Sequence, residues 1–280
     1  MAIKFHLAGV MGHPVMHSRS PLMHGYWFEQ QGIKGAYLPL DIAPNNLKAA
    51  LRALPVLGFQ GCNLTIPHKQ AALKIVDVCD NVARKIGAIS CVVVQSDGTL
   101  FGTNNDWLGF LGNLNQEFPH WQKEINSAVV IGAGGGARAI CYALIQAGIG
   151  AITVVNRTEK TAQKLAKDLG HPITVQNWDH RHAILALADL VVNTTNQGMV
   201  GQPALDLKIS HLNPNAIVAD IIYTPLLSPF LVAAAQRGNR TINGLGMLLH
   251  QGIPAWEKWF GRSPTVDETL VSVMKKDLLR

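Results

Sequence analysis

Gly132-Ala133-Gly134-Gly135-Gly136-Ala137-Arg138 follows the apolar run Val129-Val130-Ile131, and about 20 residues further on Val154-Val155 runs into Asn156-Arg157-Thr158. Strand, glycine turn, helix and second strand in that order make a phosphate-binding arrangement. Gly132 permits the tight turn, Gly134 lets the backbone approach a pyrophosphate, and Ala137 takes the close-packing position of a G-x-G-x-x-G/A pattern. Free N–H groups and the positive dipole end of the helix then face the phosphates. An Asp or Glu at the end of the second strand would bind a ribose 2′-hydroxyl, but this chain has Asn156 and Arg157 there. A cation accommodates a 2′-phosphate, so the expected cofactor is NADP rather than NAD. The plainer alternative is an ordinary glycine-rich turn with a solvated arginine.

Four further segments hold groups suited to binding or proton transfer. In His17-Ser18-Arg19-Ser20-Pro21 two hydroxyls lie at a loop-to-helix junction, where they and backbone donors can bind a carboxylate. Ser20 also reads simply as an N-cap, whereas Ser18 has no such structural reading. Asn63-Leu64-Thr65-Ile66-Pro67-His68-Lys69 reads as a strand running into a helix at Pro67. Lys69 would then sit in a first turn, where the dipole disfavours a cation unless an anionic or carbonyl partner is placed there; a solvated lysine is the plain reading. Asp106, after Gly102-Thr103-Asn104-Asn105, either caps the helix expected over Trp107–Leu114 or supplies an acid where two domains join. Asn243-Gly244-Leu245-Gly246 is a tight passage, and Gln251 offers an amide just beyond it.

These groups need elements to hold them. Residues 106–243 alternate strand and helix, with strands expected at Ala128–Ile131, Ala151–Val155, Ile173–Gln176, Leu190–Asn193, Ile217–Asp220 and Arg240–Ile242. Helices are expected over Arg138–Ala147 and Lys160–Leu169, each stopped by a glycine. The fold class is therefore α/β in two domains, one of them a Rossmann-type doubly wound parallel sheet. The first hundred residues make a second α/β unit, with strands at Phe5–Val10, Gly35–Leu40, Gly61–Leu64 and Ile89–Gln95 and a hairpin turn at Asp97-Gly98. From Gly244 the chain is mainly helical and is expected to complete that unit. Pro254 should kink or break its helix, and Thr265-x-x-Glu268 reads as a capping box. The domains expected are residues 1–105 with 244–280 for substrate and catalysis, and residues 106–243 for NADP.

Composition limits the partners. With 280 residues, 48% hydrophobic and 15% charged, the chain is globular. No apolar run approaches the roughly 20 residues of a membrane span, and Met1–His6 lacks the basic, apolar pattern of a signal peptide. Cys62, Cys79, Cys91 and Cys141 show no C-x-x-C spacing and read as reduced core thiols of a cytoplasmic protein. The eleven histidines include no H-E-x-x-H, so no metal is expected. The net charge of +6 is scattered without aromatic interleaving, which suits small anionic ligands better than nucleic acid. A homodimer is left open.

Taken together and in order, the segments resemble the shikimate dehydrogenase family over almost the full chain. The family's H-S-[KR]-S-P is His17–Pro21, its N-[VL]-T-[VI]-P-x-K is Asn63–Lys69, its G-A-G-G-x-[AS]-R is Gly132–Arg138, and its N-R-T is Asn156–Thr158. D-G-L-G-M-L-x-x-Q appears as Asn243–Gln251, with Asn for Asp. The resemblance implies reversible NADPH-dependent reduction of 3-dehydroshikimate to shikimate, in aromatic amino-acid biosynthesis. It implies Lys69 and Asp106 as the catalytic pair, and Ser18, Ser20, Thr65, Ser90, Tyr223 and Gln251 around the substrate. For NADP it implies Gly132, Ala133, Gly134, Gly135, Gly136, Ala137, Asn156, Arg157, Thr158, Lys160, Thr194, Gly244 and Met247. The chain departs from the pattern at Ser90, where the family has an Asn that contacts substrate, and at Asn105, where N-T-D becomes Asn104-Asn105-Asp106. Lys160 stands in as a point charge for an Arg that the family often carries nearby. The rivals are a quinate or aminoshikimate dehydrogenase using NAD(P), and a non-catalytic NADP-binding sensor.

Overall fold

The computed structural model describes residues 5–279; the reading of the N-terminus as lacking a signal peptide rests mainly on residues 1–4, outside that range. The chain divides into two compact units, one running to Asn105 and including Leu249–Met274, the other holding Asp106–Leu248 and the residues from Lys275. Among the described residues no helix is long and apolar enough to cross a membrane.

The first unit contains β1 (His6–Gly12), α1 (Ser20–Gln30), β2 (Gly35–Asp41), α2 (Leu47–Ala53), β3 (Phe59–Leu64), β4 (Val78–Cys79), α3 (Asn81–Ile86), β5 (Cys91–Val94) and β6 (Leu100–Thr103). Its sheet runs β2-β1-β3-β5-β6-β4. β5 is antiparallel to both of its neighbours, and the other pairings are parallel. The Asp97-Gly98 turn joins β5 to β6 as expected, with Gly98 at φ +85°. β4 and β6 carry too few alternating residues to stand out in the sequence.

The second unit continues with α4 (Asp106–Glu117), α5 (Trp121–Glu124), β7 (Ser127–Ile131), α6 (Gly135–Gln146), β8 (Ala151–Val155), α7 (Glu159–Leu169), β9 (Ile173–Gln176), β10 (Leu190–Asn193), β11 (Ile217–Asp220), α8 (Pro229–Gln236) and β12 (Arg240–Ile242). Its six strands are all parallel in the order β12-β11-β10-β7-β8-β9. This is the doubly wound order, reversing between β7 and β10. Period-two alternation gives the sheet two apolar faces: Ala128, Val130 and Val192 join one core cluster, while Val129, Ile131 and Val191 join the other. Each of the valines and the isoleucine, once fully buried, contributes roughly 1.5–3 kcal/mol.

Two helices end the chain, α9 (Leu245–Phe260) and α10 (Glu268–Leu278). Of the expected kink or break at Pro254, the break is absent: α9 runs continuously through it. A proline inside a helix costs about 3 kcal/mol through its missing N–H and its ring clash together, and burial of Ala255, Trp256 and Trp259 outweighs it. Trp256 packs on Phe28 and Phe260 with centroids at 4.7 and 4.5 Å, and Trp259 Nε1 donates to Val92 O at 3.0 Å. His24 sits in this aromatic cluster, stacked on Tyr37 at 4.0 Å; burial lowers its pKa to about 3, so it serves as a neutral ring. The capping box at Thr265 is also corrected. Asp267 caps α10, accepting from Leu270 N at 2.7 Å, and it also receives Tyr26 Oη and Gln30 Nε2 from α1. The carbonyl of Thr265 accepts from Trp27 Nε1 instead.

Candidate active site

In the second unit the glycine turn lies at the topological switch point. Gly132 follows β7 with φ +112°, and a Cβ there would come 2.5 Å from Thr194 Oγ1, just after β10. Thr194 donates both its N–H and its hydroxyl to Ile131 O, at 2.9 and 2.6 Å, which fixes the base of the turn. Gly134 is the N-cap of α6, which begins at Gly135, three residues earlier than the sequence suggested. No side chain caps this helix, and a Cβ on Gly134 would meet nothing within 4 Å. Backbone donors beside open space are what a pyrophosphate requires, so the residues present fit a dinucleotide. Ala133 and Ala137 are buried, and Gly136 lies under Ile221 Cδ1. Arg138, buried, does not face a ligand: it pairs with Asp168 at 2.8 Å and ties α6 to α7.

Beyond β8, Arg157, Thr158 and Lys160 are exposed, and Asn156 Nδ2 donates to Thr158 O at 2.8 Å. The nearby acid, Glu159, accepts from Gln163 Nε2 at 2.7 Å. The two cations Arg157 and Lys160 outnumber that one acid, so the local charge is positive. Gly244 threads against the segment after β11: its N–H donates to Ile222 O at 2.9 Å, and a Cβ would fall 2.0 Å from Ile221 O. Met247 joins the core of this unit, and Tyr223 is half-buried. Asp220, at the end of β11, accepts from Ser228 Oγ at 2.6 Å, Ile222 N at 3.0 Å and Asn193 Nδ2 at 3.1 Å. Burial nevertheless raises its pKa to about 6, against the pull of those bonds.

In the first unit the polar residues gather at one sheet edge. Because β5 runs opposite to its neighbours, its start meets the ends of β3 and β6. Thr65 N donates to Met11 O at 3.0 Å, and a Cβ on Gly12 would strike Thr65 Cγ2. Ile89 N donates to Lys69 O at 2.8 Å, which fixes the backbone carrying the half-buried lysine. Ser90 Oγ accepts from Asn105 N at 2.8 Å, and Asp106 opens α4 one residue later as a buried acid. Lys69 thus belongs to the first unit and Asp106 to the second.

Two local expectations are corrected. No α-helix starts at Pro67: residues 66–70 form a turn, followed by a 3-10 helix at Ala71–Lys74. His68 Nε2 is 2.7 Å from Ile42 O and Lys69 O is taken by Ile89, so tertiary hydrogen bonds replace helical ones, and the dipole argument about Lys69 lapses. Ser20 is not an N-cap but the first residue of α1, and Ser18 has a structural role after all, its Oγ accepting from Ser20 N at 3.3 Å. Gln251, buried in α9, is followed by Gly252, which fits against Met23 and Trp27 of α1.

Two residues at the same edge are missed by motif reading. Asn63 is buried, receiving Tyr37 Oη at 2.7 Å and donating to Ser90 O at 3.2 Å. Its signal was a polar residue inside an otherwise apolar strand. Asn105 is buried and its Nδ2 meets no acceptor. Such an orphaned donor costs about 1–3 kcal/mol, and the sequence marks the position only as a departure from the N-T-D pattern.

Burial pushes the Cys62 thiol well up and that of Cys141 to about 12, so these sulfurs are not poised as nucleophiles. Among the described residues no group of three His, Cys, Asp or Glu side chains could hold a metal ion.

A doubly wound sheet with an open glycine turn and no free acid after its second strand defines a dinucleotide-dependent α/β protein. Residues 10–92 match the shikimate dehydrogenase substrate binding domain, residues 114–205 shikimate / quinate 5-dehydrogenase, and residues 244–270 the shikimate 5′-dehydrogenase C-terminal domain. The chain is 50% identical over 270 residues to shikimate dehydrogenase (NADP(+)) of Paramagnetospirillum magneticum, covering 96% of this chain and 98% of that one. It is 51% identical to its counterpart in Rhodospirillum rubrum, covering 95% and 96%. The crystal structure of shikimate 5-dehydrogenase from Thermus thermophilus with NADP(H) and shikimate superposes with a TM-score of 0.84 at 34% identity, covering 98% and 99%. Quinate dehydrogenase from Corynebacterium glutamicum with NAD gives 0.88 at 30%, covering 99% and 100%. The chain belongs to the shikimate dehydrogenase family.

Proposed function

We propose that this chain catalyses the reversible NADPH-dependent reduction of 3-dehydroshikimate to shikimate in aromatic amino-acid biosynthesis, with Lys69 and Asp106 carrying the proton chemistry. The observation that carries the reading is the 50% identity to an NADP(+) shikimate dehydrogenase over nearly the whole of both chains. NADPH, when bound, supplies the hydride to the ring carbonyl carbon. Negative charge then develops on the carbonyl oxygen, and Lys69, as an ammonium, stabilises that oxygen and donates a proton from Nζ. Asp106 orients the lysine and accepts a hydrogen bond from a substrate hydroxyl. Ser18, Ser20, Thr65, Ser90, Tyr223 and Gln251 bind the carboxylate and hydroxyls. Gly132 to Ala137, Thr194, Gly244 and Met247 shape the dinucleotide site, while Asn156, Arg157, Thr158 and Lys160 hold the 2′-phosphate. Domain roles follow, with residues 1–105 and 244–280 serving substrate and residues 106–243 serving NADP. The free thiols fit a cytoplasmic enzyme.

The test is shikimate oxidation followed at the nicotinamide absorbance, with NADP and NAD in parallel and quinate as alternative substrate. Fast turnover with shikimate and NADP alone is expected. Preference for quinate or NAD would move the chain to the sister activity. Absence of turnover with every pair would leave a binding module.

A further inference from the structure

The hairpin that pairs Cys91 with Thr103 brings residues 90 and 105 together just beyond its open end. There Ser90 N donates to Thr103 O at 3.0 Å, and Ser90 Oγ accepts the backbone N–H of Asn105 at 2.8 Å. Both residues are 1% exposed. The neighbouring amides are already committed: Asn104 Nδ2 donates to Ala88 O at 2.9 Å and Asn63 Nδ2 to Ser90 O. Asn105 Nδ2 alone of the three has no acceptor. A sealed, orphaned donor next to Ser90, whose chain neighbour Ile89 is bonded to the backbone of Lys69, calls for an acceptor that arrives with a ligand. Positions 90 and 105 are also where the chain departs from the family pattern, in opposite senses: an amide becomes a hydroxyl at 90, and a hydroxyl becomes an amide at 105.

We infer that Ser90 and Asn105 are an exchanged pair, in which the Asn105 amide donates to a ring hydroxyl of the substrate while Ser90 anchors the backbone that presents it. This inference rests on the shikimate reading above and adds that substrate affinity depends on the two positions jointly.

The experiment is a double-mutant cycle read by steady-state kinetics with shikimate and NADP. Asn105→Thr is expected to raise KM for shikimate about 10-fold or more, with kcat within a few fold and KM for NADP unchanged. Ser90→Asn alone is expected to raise KM as well, by crowding two amides into one place. The double variant Ser90→Asn/Asn105→Thr is expected to return KM for shikimate to within a few fold of the parent, a recovery that two independent positions would not produce, while kcat and KM for NADP, which a general structural loss would move, stay near the parent in all three variants. Should Asn105→Thr fail to fold, Asn105→Ala replaces it and the same rise in KM is expected. An unchanged KM in the Asn105 variant, or a double variant no better than the sum of the singles, overturns the pair while leaving the shikimate reading intact. No turnover of shikimate by the parent overturns that reading and the pair with it.

Discussion

The two units present polar groups at a sheet edge by opposite means. In the second unit the part of the site at the glycine turn is made of backbone: a left-handed Gly132, an uncapped helix start at Gly134 and a close passage at Gly244. In the first unit it is made of side chains, Thr65, Lys69, Ser90 and Asn105, held by hydrogen bonds between loops. All-parallel strands place every carboxyl end on one side, where turns and helix starts do the binding. One reversed strand, β5, adds residues from a strand's beginning and so mixes chain segments at the edge. A backbone site is broken by adding a methyl group, and a side-chain site by removing a functional group.

The sharpest test of that contrast is Gly244→Ala. The added Cβ would meet the carbonyl of Ile221 at 2.0 Å, and backbone cannot yield cheaply. A loss of about 3 kcal/mol or more is expected in urea denaturation, enough to leave little folded protein. Lys69→Ala should leave the fold intact while lowering kcat by ~10²-fold or more, with KM within a few fold; a normal kcat would remove the lysine from its role. Gly134→Ala separates the two kinds of damage. With open space around the new methyl, stability should change by less than about 1 kcal/mol, while calorimetry should show NADP binding weakened roughly 10-fold. Arg157→Ala should raise KM for NADP by about 10-fold and leave KM for NAD unchanged, narrowing the preference between them.

A pH-dependent effect concerns Asp220, whose side chain is buried in the second unit. Its folded pKa, about 6, lies above the ordinary 3.8. The folded state therefore retains a proton that the unfolded chain has lost, and stability from this group is full below pH ~4 and lost as pH rises to about 6. On the order of 3 kcal/mol is at stake. Asp220→Asn should flatten that part of the stability–pH curve. Parallel curves for parent and variant would show that the carboxylate titrates in the ordinary range.

Much of the second unit is legible in the sequence because its strands are short apolar runs punctuated by glycine; Ile173–Gln176 and Leu190–Asn193 are both read with the observed bounds. The first unit yields less. Pro67 looks like a helix start, but the hydrogen bonds that decide otherwise come from Ile42 and Ile89. Thr265 makes a plausible cap by spacing alone, yet Asp267 wins because it also receives Tyr26 and Gln30 from a helix far away in sequence. Pro254 is overruled by tryptophan burial. Motifs give Lys69, Thr65 and Asp106 as a set of letters. The bond between Ser90 and Asn105 depends on strand register, and no local pattern encodes it.

The aromatic cluster joining α1 to α9 also bears on how the protein is made. Trp27 and Phe28 emerge from the ribosome early, and their partner Trp256 emerges only after Asp106–Leu248, which hold every strand of the second unit, have been translated. At ordinary elongation speeds that interval is on the order of tens of seconds. Throughout it the first unit must wait with an unfinished core, while the second can already close its own sheet. The nascent chain should therefore acquire its middle before its beginning, and chaperones would meet α1 as an exposed apolar face.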